Sequence, residues 1–290
     1  MNTYRSISQV VTGRDASDGA GVKLVRVFSY RNAADFDPFL MMDAFDNHRP
    51  EDYVKGFPWH PHRGIETVTY LLEGKVAHGD SLGNRGIIRD GDCQWMTAGS
   101  GIIHQEMPQP PGRMVGVQLW LNLPRKDKMT RPTYGDILAA DIPVIKDQGC
   151  ELRLVAGDYQ GTLGAFTGNY LKPLFVDVSM PPETVWEMET EPEHTLYTYT
   201  FSGSGFFDPE SQKKSGSKTA LLFAPGNRIK VRTKEEAMRF ILLSAPRLNE
   251  PIAWGGPIVM NTKEELNLAF EELDRSTFIK HEAAGGTEVE

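Results

Sequence analysis

Two short patterns, His60-Pro61-His62 and His104-Gln105-Glu106, bring three imidazoles and one carboxylate, donors that suit a divalent first-row metal. In an extended strand, residues two apart face the same side, so each pattern offers two ligands to one point in space. An octahedral ion held by His60, His62, His104 and Glu106 keeps two positions for water, dioxygen or substrate. Exchangeable positions mean chemistry as well as structure. Three of the seven histidines fall in these patterns, while His48, His78, His194 and His281 stand alone.

Strands must carry such pairs, and the chain reads as strand-rich. From Val22 to Phe28 and from Ile65 to Leu72, β-branched and aromatic residues alternate with smaller or polar ones between Gly/Asp/Asn-rich breaks. The texture recurs at Ile87-Ile88, Cys93–Met96, Met114–Leu123, Leu152–Ala156, Leu174–Met180, Thr195–Phe201, Thr219–Phe223, Ile229–Thr233 and Met238–Ser244. Many short strands without alternating helices predict an all-β sandwich or barrel. Tyr70-Leu71-Leu72-Glu73-Gly74 is answered by Tyr199-Thr200-Phe201-Ser202-Gly203, and Arg89-Asp90-Gly91-Asp92 by Ala224-Pro225-Gly226-Asn227, a weak internal repeat. Two antiparallel β-barrel domains follow, 1–130 with the metal-ligand patterns and 131–290 without, joined through the proline- and charge-bearing stretch Leu123–Pro132. Tyr134 to Ile145 reads as irregular.

Near the end, Thr262-Lys263-Glu264-Glu265 has the form of a capping box, and Leu266, Ala269, Phe270 and Leu273 follow at helical spacing. A short C-terminal helix packed on a sheet is expected. The small, glycine-bearing, acidic residues from His281 to Glu290 predict a frayed tail.

Composition narrows the function class. At 290 residues, 40% hydrophobic and 24% charged, the chain has the make-up of a globular protein, and no apolar run reaches membrane-helix length. Mixed polar residues after Met1 lack a secretory signal's apolar core, and two cysteines, Cys93 and Cys150, are too few for a disulfide framework. A cytoplasmic protein with two buried thiols is expected. A net charge of −8 and only short basic clusters, Arg125–Lys128 and Lys213-Lys214, disfavour direct nucleic-acid binding.

Phe57-Pro58-Trp59-His60-Pro61-His62-Arg63-Gly64-Ile65-Glu66-Thr67-Val68, with Gln94–Glu106 downstream, resembles the pirin family of the cupin superfamily. The likeness continues through Asp37–Leu40, Val117–Leu123 and Gly256–Thr262. It implies a bicupin of two stacked jelly-roll barrels, with iron in the N-terminal one on residues matching His60, His62, His104 and Glu106. Glu66, where the general cupin pattern places a glutamate, is the second choice of carboxylate ligand. Fe(II) leads the metals so implied, with Zn, Mn, Ni, Co and Cu as alternatives. The resemblance also implies either a quercetin 2,3-dioxygenase-type activity on flavonols or a metal-dependent regulator that binds a protein partner.

For the dioxygenase, the partners are a small aromatic substrate and dioxygen, and Glu106 doubles as the base for the substrate hydroxyl. Phe57, Trp59, Met42, Met96 and Trp120 are candidates for the apolar wall, and Gln118 for orienting water or substrate. Arg63 reads as a surface ion pair or an attractor of anions. An iron-state sensor and a closed structural zinc are the competing classes. A monomer is expected. Metal loading should weaken below about pH 6, since imidazole must be neutral to ligate.

Overall fold

The computed structural model describes residues 3–110, 112–209 and 213–281. Its named strands pair antiparallel throughout, and the chain divides into two compact units that are not consecutive halves. One gathers Asp15–Tyr30, Phe39–Ala139 and the residues from Asn249 onward; the other gathers the residues up to Arg14, Arg31–Pro38 and Ala140–Leu248. These units differ from the expected consecutive domains 1–130 and 131–290. The first strand, Ile7–Thr12, pairs with Thr219–Phe223 and covers what would be an open sheet edge. The last segment docks on the unit that carries the histidine pairs.

In that unit, a seven-stranded sheet runs in the order Thr133–Ile137, Cys93–Thr97, Ile65–Glu73, Met114–Asn122, Phe39–Asn47, Val22–Phe28, Arg14–Asp18. A four-stranded sheet holds Phe57–His62, Ile102–Pro108, Val76–Asp80 and Arg85–Ile88 in that order. Val22, Leu24, Phe45, Leu71 and Met114 of the first sheet pack with Val76 and Ile88 of the second as a buried core. Phe57–His62 lies at a sheet edge, where Pro58 and Pro61 remove no ladder hydrogen bond that the fold needs. Thr133–Ile137, expected as irregular, is an edge strand against Cys93–Thr97. Phe39–Asn47 escaped the alternation signal because eight of its nine residues are buried, so both faces are apolar or inward.

In the other unit, Trp186 and Met188 of Val185–Glu189 meet Val231 and Ile229 of Arg228–Arg232, and all four are buried with Leu152, Leu154, Val176, Leu196 and Phe240. That strand pair presents apolar side chains to its barrel interior and no histidine.

The helix forms at Lys263–Asp274 with the expected capping box: Thr262 Oγ1 accepts from Glu265 N at 3.2 Å and Glu265 Oε2 from Thr262 N at 3.0 Å. Leu266, Ala269 and Leu273 pack with Ile258, Met260 and Phe278, while Phe270 is partly exposed over Gly255. Gly64 lets this segment approach: at φ +77 its missing Cβ would lie 1.9 Å from Val259 O. Arg63 is correspondingly neither on the surface nor in a pocket. It is buried, donates to Ser100 O and Phe278 O, and pairs with Glu272 at 2.7 Å. The expected tail beyond His281 lies outside the described residues.

Candidate metal centre

Strand register assembles the site. Phe57–His62 and Ile102–Pro108 are neighbours, His104 stands directly opposite His60, and His62 opposes Ile102. The ligand nitrogens of His60, His62 and His104 all lie within 4.8 Å of one another. His60 Nε2 and His104 Nε2 are 3.0 Å apart. A metal–nitrogen bond of about 2.1 Å puts two ligands at a right angle about 3.0 Å apart, so the spacing suits adjacent positions on one ion.

The electrostatics agree. Burial, then the neighbouring His60, push His62 down to about 3, and a hydrogen bond to Pro257 O opposes the shift only in part. Burial and the rings of His62, His60 and His78 hold His104 well below the ordinary imidazole value. Both rings stay neutral, as a ligand must. His60 Nδ1 lies 2.9 Å from Pro58 O and His62 Nδ1 3.1 Å from Pro257 O. Each carbonyl fixes the proton on Nδ1 and leaves the Nε2 lone pair for a cation.

Glu106 stands on the same cavity but outside the tight nitrogen cluster, because Thr69 Oγ1 holds its Oε1 at 2.8 Å. Thr69 Oγ1 is also 2.5 Å from the Gln118 amide. One hydroxyl proton serves one acceptor, so the chain is satisfied when the Gln118 NH2 donates to Thr69 and Thr69 to Glu106. Register extends the row: Arg26 opposes Asp43, Asp43 opposes Gln118, and Gln118 opposes Thr69. Arg26 grips Asp43 at 2.9 and 2.8 Å and Asp18 at 2.6 Å. A polar line thus crosses the sheet to Glu106.

Parity decides the other candidates. Thr67 and Thr69 oppose Trp120 and Gln118 on the cavity face, which sends Glu66 to the opposite face. There Glu66 is fully buried and accepts from Thr97 Oγ1 at 2.8 Å, so it is not a ligand of this cluster. Met41, not Met42, opposes Trp120 and lines the cavity. Met42 and Met96 are fully buried and line no part of it. Phe57, Trp59, Gln118 and Trp120 do line it.

The cavity measures about 740 Å³. Trp120 meets His62 edge-on at 5.0 Å and Trp254 at 5.9 Å, and Tyr30 meets Trp254 at 5.8 Å. Trp59 and Tyr30 are 54% and 66% exposed, which puts flat aromatic surface at the mouth. Tyr30 and Trp254 come from segments that no local pattern marks, and Pro257 from the Gly256–Thr262 stretch, whose likeness to the family does not itself point to this cavity. His78 is different: His78-Gly79-Asp80 repeats the two-residue spacing of the ligand pairs, and its ring lies 5.3 Å from that of His104.

Comparison with known proteins finds matches along most of the chain. Residues 21–121 match the Pirin family model, and residues 175–279 match the Pirin C-terminal cupin domain. A pirin-like protein of Caulobacter vibrioides is 40% identical over 277 residues, 94% of this chain and 99% of that one. The structure of a quercetin 2,3-dioxygenase from Acinetobacter baumannii is 32% identical, covers 95% of this chain and 99% of its own, and has a TM-score of 0.87. The bacterial pirin YhhW of Escherichia coli, solved in complex with nickel(II), shares the fold at 21% identity and a TM-score of 0.62, over 82% of this chain and 99% of its own.

Proposed function

This chain belongs to the pirin family, and we propose that it is a metal-dependent dioxygenase of the quercetin 2,3-dioxygenase type, acting on a flavonol or similar enolic aromatic substrate. The observation that carries the reading is the convergence of His60, His62 and His104 on one point at the wall of an aromatic-lined cavity. The resemblance to a structure titled quercetin 2,3-dioxygenase supports it.

A ferrous ion on the three histidines would supply Lewis acidity toward a substrate hydroxyl and a site for dioxygen. The protein's own groups do the rest. Glu106, held through Oε1 by Thr69, keeps Oε2 for the metal or for the proton of the substrate hydroxyl. Trp120, Trp254 and Tyr30 flank a flat ring, and Phe57 and Met41 complete the apolar wall. Arg26 and Asp43 offer hydrogen bonds to the substrate's far end.

Anaerobically iron-loaded protein should consume dioxygen and bleach the flavonol absorbance, and His62→Ala should abolish both. Fully loaded protein that does neither with a panel of flavonols would refute the activity. The exposed Trp59 and Tyr30 at the cavity mouth favour a second reading, a regulator whose affinity for a protein partner differs between ferrous and ferric states.

A further inference from the structure

His60 and His62 each have a carbonyl beside Nδ1, but His104 has none. Its Nδ1 is buried without a hydrogen-bond partner. Metal-ligating imidazoles nearly always give their second N–H to an acceptor, which sets the tautomer and raises ligand basicity. The ring next to His104 is His78, with centroids 5.3 Å apart and planes inclined at 57°. His78 has a wholly buried side chain; its Nδ1 has no hydrogen-bond partner, and its Nε2 has only Asp80 Oδ2 within ion-pair reach. Adjacent buried imidazoles in that state are costly unless they satisfy one another, directly or across one water.

We propose that His78 is a positioning residue for the metal centre: it accepts the Nδ1–H of His104, directly or through one water, and so aims Nε2 of His104 at the ion. The inference rests on metal binding by the three histidines.

The surroundings hold His78 for this task. It opposes Glu106 in register, and Asp80 opposes His104, so both sit on the ligand face of their sheet. Its ring stacks on Tyr134 at 4.6 Å and 29°. Its Nε2 is 3.6 Å from Asp80 Oδ2, ion-pair reach though longer than a hydrogen bond. Asp80 is itself fixed by Leu82 N, Asn84 N and Asn84 Nδ2. Gly86 opposes His78, and a Cβ there would meet the Tyr134 hydroxyl at 2.2 Å, so the absent side chain makes room for the stacking partner. A neutral imidazole has one donor and one acceptor nitrogen. With its N–H directed to Asp80, His78 keeps one lone pair for the proton of His104.

The test is chelator competition for Co2+ and Fe2+ under anaerobic conditions, using the full chain and two variants. His78→Phe keeps ring and volume but no nitrogen; His78→Gln keeps an acceptor but no ring. The proposal expects His78→Phe to bind metal about 10–100-fold more weakly, with shifted cobalt d–d bands, and His78→Gln to stay much closer to wild type. Wild-type affinity in His78→Phe, or a greater loss in His78→Gln, would assign His78 to packing and overturn the proposal. A wild-type chain that binds neither metal would overturn the metal reading itself. Apo melting curves separate lost fold from lost affinity, and if His78→Phe does not fold, His78→Leu set against His78→Gln carries the same contrast.

Discussion

His60 and His104 face each other at 3.0 Å across directly paired positions of two antiparallel strands. The backbone ladder places the two side chains directly opposite one another. A one-residue slip would turn His104 and Glu106 away together, because side chains alternate along a strand.

Acid should release the metal less steeply than a trio of ordinary histidines would. His62 is held at about 3 and His104 well below the ordinary imidazole value, so at pH 5 both are already neutral. Neither of these two rings then competes with protons for the ion. The weakening expected below about pH 6 becomes shallow: apparent affinity should fall far less between pH 6.5 and 5 than the roughly thousandfold per pH unit that three ordinary imidazoles would give. Competition assays across that range check the slope, and a much steeper one contradicts the burial argument.

Glu106→Gln should retain iron on the three histidines yet lose turnover about 10²–10⁴-fold, the usual contribution of a positioned base. Thr69→Val, which removes the hydroxyl holding Glu106, should give a smaller loss. Iron content and dioxygen uptake measured on the same samples decide the matter. Loss of iron from Glu106→Gln would make the carboxylate an essential ligand.

Glu66 stores a pH-dependent cost. Burial raises its carboxyl from 4.5 to about 7, against hydrogen bonds from Thr97 and Trp95 that favour the ionised form. Between those values the folded chain holds a proton that the unfolded chain has lost, so stability falls as pH rises and is lowest above about 7. The shift corresponds to roughly 3 kcal/mol. Glu66→Gln should thus gain stability at pH 8 and change little near pH 4, as read from denaturant midpoints. Equal or lower stability at pH 8 would contradict it.

The clustering of His60, His62 and His104 and most strands are legible because each rests on local alternation. Val22–Phe28, Leu174–Met180 and Thr219–Phe223 have the predicted bounds. What local pattern cannot carry is pairing. Local pattern does not separate Met42 from Met41, which lines the cavity, since only register against Trp120 distinguishes the two. Arg63 looks like a surface charge in the sequence because its partners, Glu272 and Phe278, lie more than two hundred residues on. The return of Asn249 and the residues after it to the unit with the histidine pairs brings Trp254 and Pro257 to the site, and although Gly256–Thr262 carries the family likeness, nothing in it names that destination. His78-Gly79-Asp80 did leave one, the same spacing that marks the ligand pairs.

The most direct measurement is metal stoichiometry by elemental analysis after anaerobic dialysis against ferrous iron. One iron per chain is predicted for the wild type and for Glu66→Gln, and almost none for His62→Ala or His104→Ala. Undiminished iron in either histidine variant, or none in the wild type, would contradict the assignment of these imidazoles to a metal centre.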